Sequence, residues 1–246
     1  MKNFNSNLII NADDFGFNSN INAAIVYCIL NNIINSTTIM VNTMGFEEAV
    51  ELAKKFNFQD KIGIHINLSH GKPLTDLTGT GLLNDDGILN RKSLSNPYIY
   101  FSTYIKNKIK NEIIQQYDKL RAFNIDPTHI DSHHSVHTIP WIANLFIEFV
   151  MQKNKKIRIS HEQFRKNLIQ TAYSKFLNFQ YKKHNINFSD KLEKVSSFTK
   201  DYNKLRHGQI TYEVMVHPGY DNNVLIDTVD LTNLEDSIFN LKKCIL

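Results

Sequence analysis

The first apolar run of the chain, Leu8-Ile9-Ile10, leads straight into Asn11-Ala12-Asp13-Asp14-Phe15-Gly16. Short apolar runs of this kind read as buried strands. This one delivers two adjacent carboxylates to the end of a sheet. Ile21, Ala24, Ile25, Cys28 and Ile29 then recur at spacings of three and four, which predicts an amphipathic helix over residues 19–34. Thr37-Thr38-Ile39-Met40-Val41 is β-branched and apolar and predicts a second strand ending at Asn42. A second helical period covers residues 47–56. Residues 62–68 alternate strictly, with His65 and Asn67 on one face and Ile64, Ile66 and Leu68 on the other. Strand, helix, strand, helix, strand predicts a parallel sheet or an α/β barrel. Functional groups in such folds gather at the C-terminal ends of strands, where Asp13, Asp14, Asn42 and His65 fall.

The rhythm breaks over residues 72–95, which carry Gly79, Gly81 and Gly87 and show no period. A loop of this length is uncommon unless it is functional, so it reads as a lid or wall over the strand ends. Helix returns over residues 98–123 and stops at Asp126-Pro127. A histidine-rich segment follows over residues 128–137, then a helix over 140–151 and a short strand at 157–159. Residues 162–206 give a weak signal, read as helices with an aromatic, basic surface. Residues 213–220 form a last strand that runs into His217-Pro218-Gly219, and a closing helix spans residues 231–246. With no internal repeat and no linker, residues 1–246 read as one domain.

Composition narrows the classes. Hydrophobic residues make up 42% of the 246 residues, enough for a full core, and the net charge is only +4. No Lys/Arg block is interleaved with aromatics, which argues against nucleic-acid binding. No stretch approaches the ~18 apolar residues of a membrane span, and residues 1–7 lack a signal-peptide pattern. A cytoplasmic location is the expectation. Cys28 and Cys244 imply no disulfide framework.

Four of the ten histidines lie between His129 and His137. In a strand, His129, Asp131 and His133 point the same way. The Asp pair alone could merely cap the following helix, but histidines at other strand ends change its meaning. Two imidazoles and one carboxylate, with water in the remaining position, make an open catalytic metal site. Asp131 is placed to fix an imidazole tautomer. Imidazole suits Zn, Fe, Co or Ni and carboxylate suits Mg or Mn, so the donor types leave the metal open.

Taken in order, Asn11-Ala12-Asp13-Asp14-Phe15-Gly16, Gly63-Ile64-His65-Ile66-Asn67-Leu68, residues His129 to His137 and His217-Pro218-Gly219 resemble the YdjC-like carbohydrate deacetylases. Ser36-Thr37-Thr38, Val41-Asn42 and Gly71-Lys72-Pro73-Leu74 add to the likeness, which runs from about Leu8 to Tyr220. The resemblance implies a distorted, TIM-barrel-like (β/α) barrel similar to that of polysaccharide deacetylases. It also implies a metal-dependent enzyme that removes N-acetyl groups from chitobiose and other chito-oligosaccharides, using Mg²⁺ or Zn²⁺. By the same resemblance the metal ligands fall on Asp14, His65 and His133, the catalytic base on Asp13, and an assisting group on His217. Asn42, Asn67, Asp131 and His137 are the expected substrate contacts. Apolar residues on more than one face of residues 142–150, together with the resemblance, predict a homodimer. Two departures stand out: Ser135 occupies the place of a third family histidine, and the tail after His217 is short. The competing readings are a non-catalytic metal- and sugar-binding relative and a metal-dependent phosphoesterase.

Overall fold

A computed structural model describes residues 7–95, 102–161, 167–195 and 210–245. The expectations over residues 98–101, 162–166 and 196–206 lie outside the described residues. The apolar run at the start becomes strand β1 (Leu8–Phe15), and it occupies an inner position of the main sheet. Around it stand β2 (Ser36–Ile39), β3 (Ile62–Ile66), β4 (Ile130–Ser132), β5 (Lys191–Lys194) and β6 (Tyr212–Val216). Their order is β4-β3-β2-β1-β6-β5, and every pairing is parallel. The result is an α/β fold of six strands curled into a half-barrel.

Ile157 extends this sheet at the β4 edge. Arg158 N donates to Ile130 O at 3.0 Å, while Ile157 N donates to Ile186 O at 2.6 Å and Phe188 N to Ile157 O at 2.8 Å. The segment that leads into β5 thus pairs with Ile157 at one end, while β5 itself pairs with β6. These single pairings bring Arg158 to the inside.

Helices α1 (Ser19–Leu30), α2 (Phe46–Lys55), α3 (Thr103–Ala122), α4 (Pro140–Lys153), α5 (Leu168–Lys183) and α6 (Leu234–Ile245) accompany the strands. Helix α1 begins where the Asn18 side chain accepts from Ile21 N, a standard N-cap. It stops four residues earlier than the period suggests, because Asn32 takes a left-handed conformation with φ 53°. Helix α4 buries Trp141, Ile142, Phe146, Phe149 and Val150 in the core of its own chain. Its several apolar faces are therefore covered within one molecule and do not by themselves call for a partner. Each such side chain contributes about 1.5–3 kcal/mol when fully buried.

Two further elements depart from the sequence reading. Residues 213–220 do not form one strand: after β6 the chain turns at His217 into a separate antiparallel sheet of β7 (Pro218–Asp221), β8 (Val224–Asp227) and β9 (Thr232–Asn233). The 72–95 loop is irregular as expected, but it is anchored. The buried Glu112 of α3 accepts from Leu74 N, Thr75 N and Thr75 Oγ1, and Leu77, Leu82, Leu89 and Leu94 enter the core. Among the described residues no helix is long and apolar enough to cross a membrane.

Candidate metal centre

The strand β1 does not end regularly. Asp14 has φ 68°, and the pairing with β2 slips between Ala12 and Phe15. In an undistorted strand neighbouring side chains point to opposite faces. The distortion lets Asp13 turn inward while Asp14 reaches the rim. Asp14 Oδ1 lies 2.9 Å from His133 Nδ1 and 3.2 Å from His65 Nε2. His65 comes from the end of β3. His133 follows β4, immediately before two residues in left-handed backbone, His134 (φ 55°) and Ser135 (φ 54°). Three strand ends thus converge, and one ligand atom from each of Asp14, His65 and His133 lies within 4.8 Å of the others.

Behind the three stands a buried charge cluster. His65 Nδ1 lies 2.6 Å from Asp131 Oδ1, which leaves Nε2 facing Asp14. Thr38 Oγ1 donates to Asp131 Oδ2 at 3.0 Å. Arg158 binds Asp13 in a fork, Nη1 to Oδ2 at 2.6 Å and Nη2 to Oδ1 at 2.7 Å. Its Nη1 also lies 2.8 Å from Asp131 Oδ2, and its Nε donates to Glu213 Oε1 at 2.6 Å. Asn11 Nδ2 donates to Asp13 Oδ1 at 2.9 Å, and Ser36 Oγ holds the Asn11 carbonyl. His217 sits beside Asp13, its Nε2 3.9 Å from Asp13 Oδ2, and Asp227 accepts from its backbone N at 2.9 Å.

The electrostatics follow from this crowding. Three carboxylates, Asp13, Asp131 and Glu213, surround one guanidinium, and Asp14 stands against His65 and His133. Burial opposes a charge on His65, but Asp131 and Asp14 prevail and lift its pKa to about 10. Burial pushes Asp14 up, and the hydrogen bonds from His133 and His65 outweigh it and hold the carboxyl well below the usual range. Burial raises Glu213 to about 7 against the pull of Arg158. For Arg158 burial works against the charge, yet Asp13, Asp131 and Glu213 hold it far above its ordinary value. An excess of buried negative charge needs a cation. A divalent ion held by Asp14, His65 and His133 fits this site, because one carboxylate and two imidazoles are a standard donor set and His65 already has its other nitrogen bound to a carboxylate.

The remaining expected site residues lie differently. Asn42 Oδ1 accepts from Asn67 Nδ2 at 3.0 Å, and Asn42 Nδ2 donates to Lys72 O. Asn67 Oδ1 accepts from Ser69 N and His70 N, so this pair shapes the turn that follows β3. Asp131 and His137 are fully buried, behind the site and not at its mouth. Asp131 orients His65 and Arg158; His137 bonds Ser132 Oγ at 2.6 Å and the Arg158 carbonyl at 3.1 Å. Asp131 thus stands where the sequence reading put a partner fixing an imidazole, and His137 is tied to the turn after β4 and to the Arg158 backbone. His129 precedes β4 and is stacked on Phe188 at 3.7 Å between centroids, so it does not share the direction of His133. Gly63 makes room for it, since a Cβ there would lie 2.5 Å from His129 Cε1. Sequence reasoning missed Arg158 and Glu213. The signal was present, as each is a lone charge between apolar neighbours in a strand, Ile157-Arg158-Ile159 and Tyr212-Glu213-Val214.

Comparison with known proteins identifies the family. A family model described as YdjC-like protein matches residues 7–240. A carbohydrate deacetylase of Clostridium beijerinckii is 33% identical over 226 residues, 89% of this chain and 84% of that protein. A chitooligosaccharide deacetylase of Proteus mirabilis is 32% identical over 227 residues, 89% of this chain and 83% of that protein. The match to a chitooligosaccharide deacetylase of Salmonella paratyphi B, 33% over 160 residues, spans 60% of that protein. Among solved structures, a cellobiose-phosphate cleavage protein of Enterococcus faecalis V583 superposes with a TM-score of 0.70 at 18% identity, covering 96% of this chain and 94% of the other, a likeness of fold. With the family model covering nearly its whole length, the chain belongs to the YdjC-like family.

Proposed function

We propose that the protein is a metal-dependent carbohydrate N-deacetylase that hydrolyses the linear amide of N-acetylglucosamine units in chitobiose and longer chito-oligosaccharides. The convergence of Asp14, His65 and His133 beside a separately held Asp13 carries this reading. The names of the relatives support it. The reading extends to Mg²⁺ or Zn²⁺ as the ion, a cytoplasmic location and a homodimer; a light-scattering mass near 28.5 kDa would contradict the dimer. It also takes the half-barrel, continued through Ile157, as the distorted barrel of the deacetylases.

When bound, the ion polarises the amide carbonyl and makes an attacking water more acidic. Hydrolysis forms a bond from that water to the carbonyl carbon, breaks the C–N bond and releases acetate and an amine. The water must lose a proton and the amine nitrogen must gain one. Asp13 takes the proton as general base, with Arg158 and Asn11 fixing both its oxygens in direction. His217, whose Nε2 lies 3.9 Å from Asp13 Oδ2, protonates the leaving nitrogen. Asp14 would hold the ion together with His65 and His133, and Asp131 keeps the His65 ring turned so that Nε2 faces Asp14.

Mass spectrometry of N-acetylglucosamine oligomers incubated with protein and Mg²⁺ or Zn²⁺ tests this. Loss of one acetyl mass per chain is the expected result. Binding without mass change would instead mark a sugar-binding relative, and release of phosphate from sugar phosphates a phosphoesterase.

A further inference from the structure

We propose that Phe17, His70 and His134 form the wall on which a pyranose ring of the substrate lies, a subsite that rests on the deacetylase reading and deepens it. Phe17 stands three residues after Asp14, with its ring 6.3 Å from the imidazole of His133 and 5.0 Å from that of His70. The His70 ring lies 6.2 Å from His133. The ring of His134 lies 3.9 Å from that of His133, tilted by 38°, and its Nδ1 lies 2.9 Å from Ser69 Oγ. Three rings from three segments thus surround one ligand imidazole. His70 and His134 are exposed and Phe17 is half-buried, so the wall faces outward beside the triad.

Two features indicate that this placement is maintained. Asn67 accepts from Ser69 N and His70 N and donates to His70 O at 2.7 Å, so the turn that carries His70 is tied down. His134 and Ser135 both sit in left-handed backbone, a conformation that costs energy for residues with side chains and that clusters at binding sites. The chemistry suits a sugar. A pyranose offers an apolar C–H face and a rim of hydroxyls. Phe17 supplies a flat apolar surface, and the imidazoles beside it supply donors and acceptors for hydroxyls. The Asp and Arg groups of the inner site offer no such face.

The test uses the full-length protein loaded with metal and diacetylchitobiose. Phe17→Ala should raise KM about five- to tenfold with kcat changed less than twofold and metal content, by elemental analysis, unchanged. Phe17→Trp should restore KM. His70→Ala, at an exposed site, should raise KM in the same direction and serves if Phe17→Ala fails to fold. KM within twofold of wild type in the folded variants overturns the wall. So does a joint loss of metal and thermal stability in Phe17→Ala that leaves KM unchanged in His70→Ala, which would make the rings mere cover for His133. If the wild type does not turn over the sugar, the deacetylase reading fails separately. Calorimetric titration of the same variants with diacetylchitobiose then decides: weaker binding than wild type upholds the wall, and equal binding overturns it.

Discussion

Asp13 and Asp14 are neighbours with different surroundings, and the difference predicts different losses. Asp13→Asn keeps the shape but cannot accept a proton at neutral pH. It should lower kcat by about 10²–10⁴-fold with metal content nearly intact. Asp14→Asn should lose metal along with rate. Steady-state kinetics beside elemental analysis of both variants separates the roles, and the opposite pattern would swap them. Arg158 is a second test. Replacing it with Leu leaves Asp13, Asp131 and Glu213 facing one another in a buried space. Removing one partner of a buried ion pair costs about 3–5 kcal/mol, and urea denaturation should show a loss of at least that size. At this scale the sequence revealed the residues at strand ends, because apolar runs stop abruptly at Asp13-Asp14 and around His65. It did not reveal Arg158, whose meaning depends on carboxylates arriving from β1, β4 and β6.

The turn after β4 shows how local conformation serves the site. Ser135 is exposed with φ 54°, and no described side chain depends on its hydroxyl. Glycine adopts this conformation without steric cost, whereas other residues lose roughly 1–2 kcal/mol there. Ser135→Gly should therefore leave stability unchanged or raise it by up to about 1 kcal/mol, read as the thermal midpoint. A clear loss would mean that the hydroxyl does something this geometry does not show. The elements legible in sequence were those with strong periods or clear stop signals, α1 to α4, α6 and β1 to β3. β5 was missed because Lys191-Leu192-Glu193-Lys194 carries more charge than a buried strand normally does. The hairpin of β7 and β8 was missed although Asn222 and Asn223, both left-handed, are the residues such turns favour.

Across the whole molecule, the excess of carboxylates makes stability depend on both pH and metal. In the metal-free protein the pKa of His65 is raised from 6.5 to about 10. A raised pKa contributes stability that is fully present below about pH 6.5 and lost as pH rises through 10. Metal acts in the opposite sense, since binding requires His65 to give up its proton. The gain in thermal midpoint on adding Zn²⁺ should thus be larger at pH 8 than at pH 5.5; at a hundred times Kd it corresponds to about 2.7 kcal/mol. Calorimetric scans at both values check this, and a gain independent of pH would place the ion elsewhere. The sheet order has a consequence for synthesis. One edge of β1 pairs with β2 about 25 residues later, but the other waits for Tyr212–Val216, about 200 residues on. At 5–20 residues per second the ribosome needs roughly 10–40 s to supply that partner. Throughout this interval the nascent chain presents an open strand edge, the kind of edge that invites mispairing, with Asp13 made long before the Arg158 that will neutralise it.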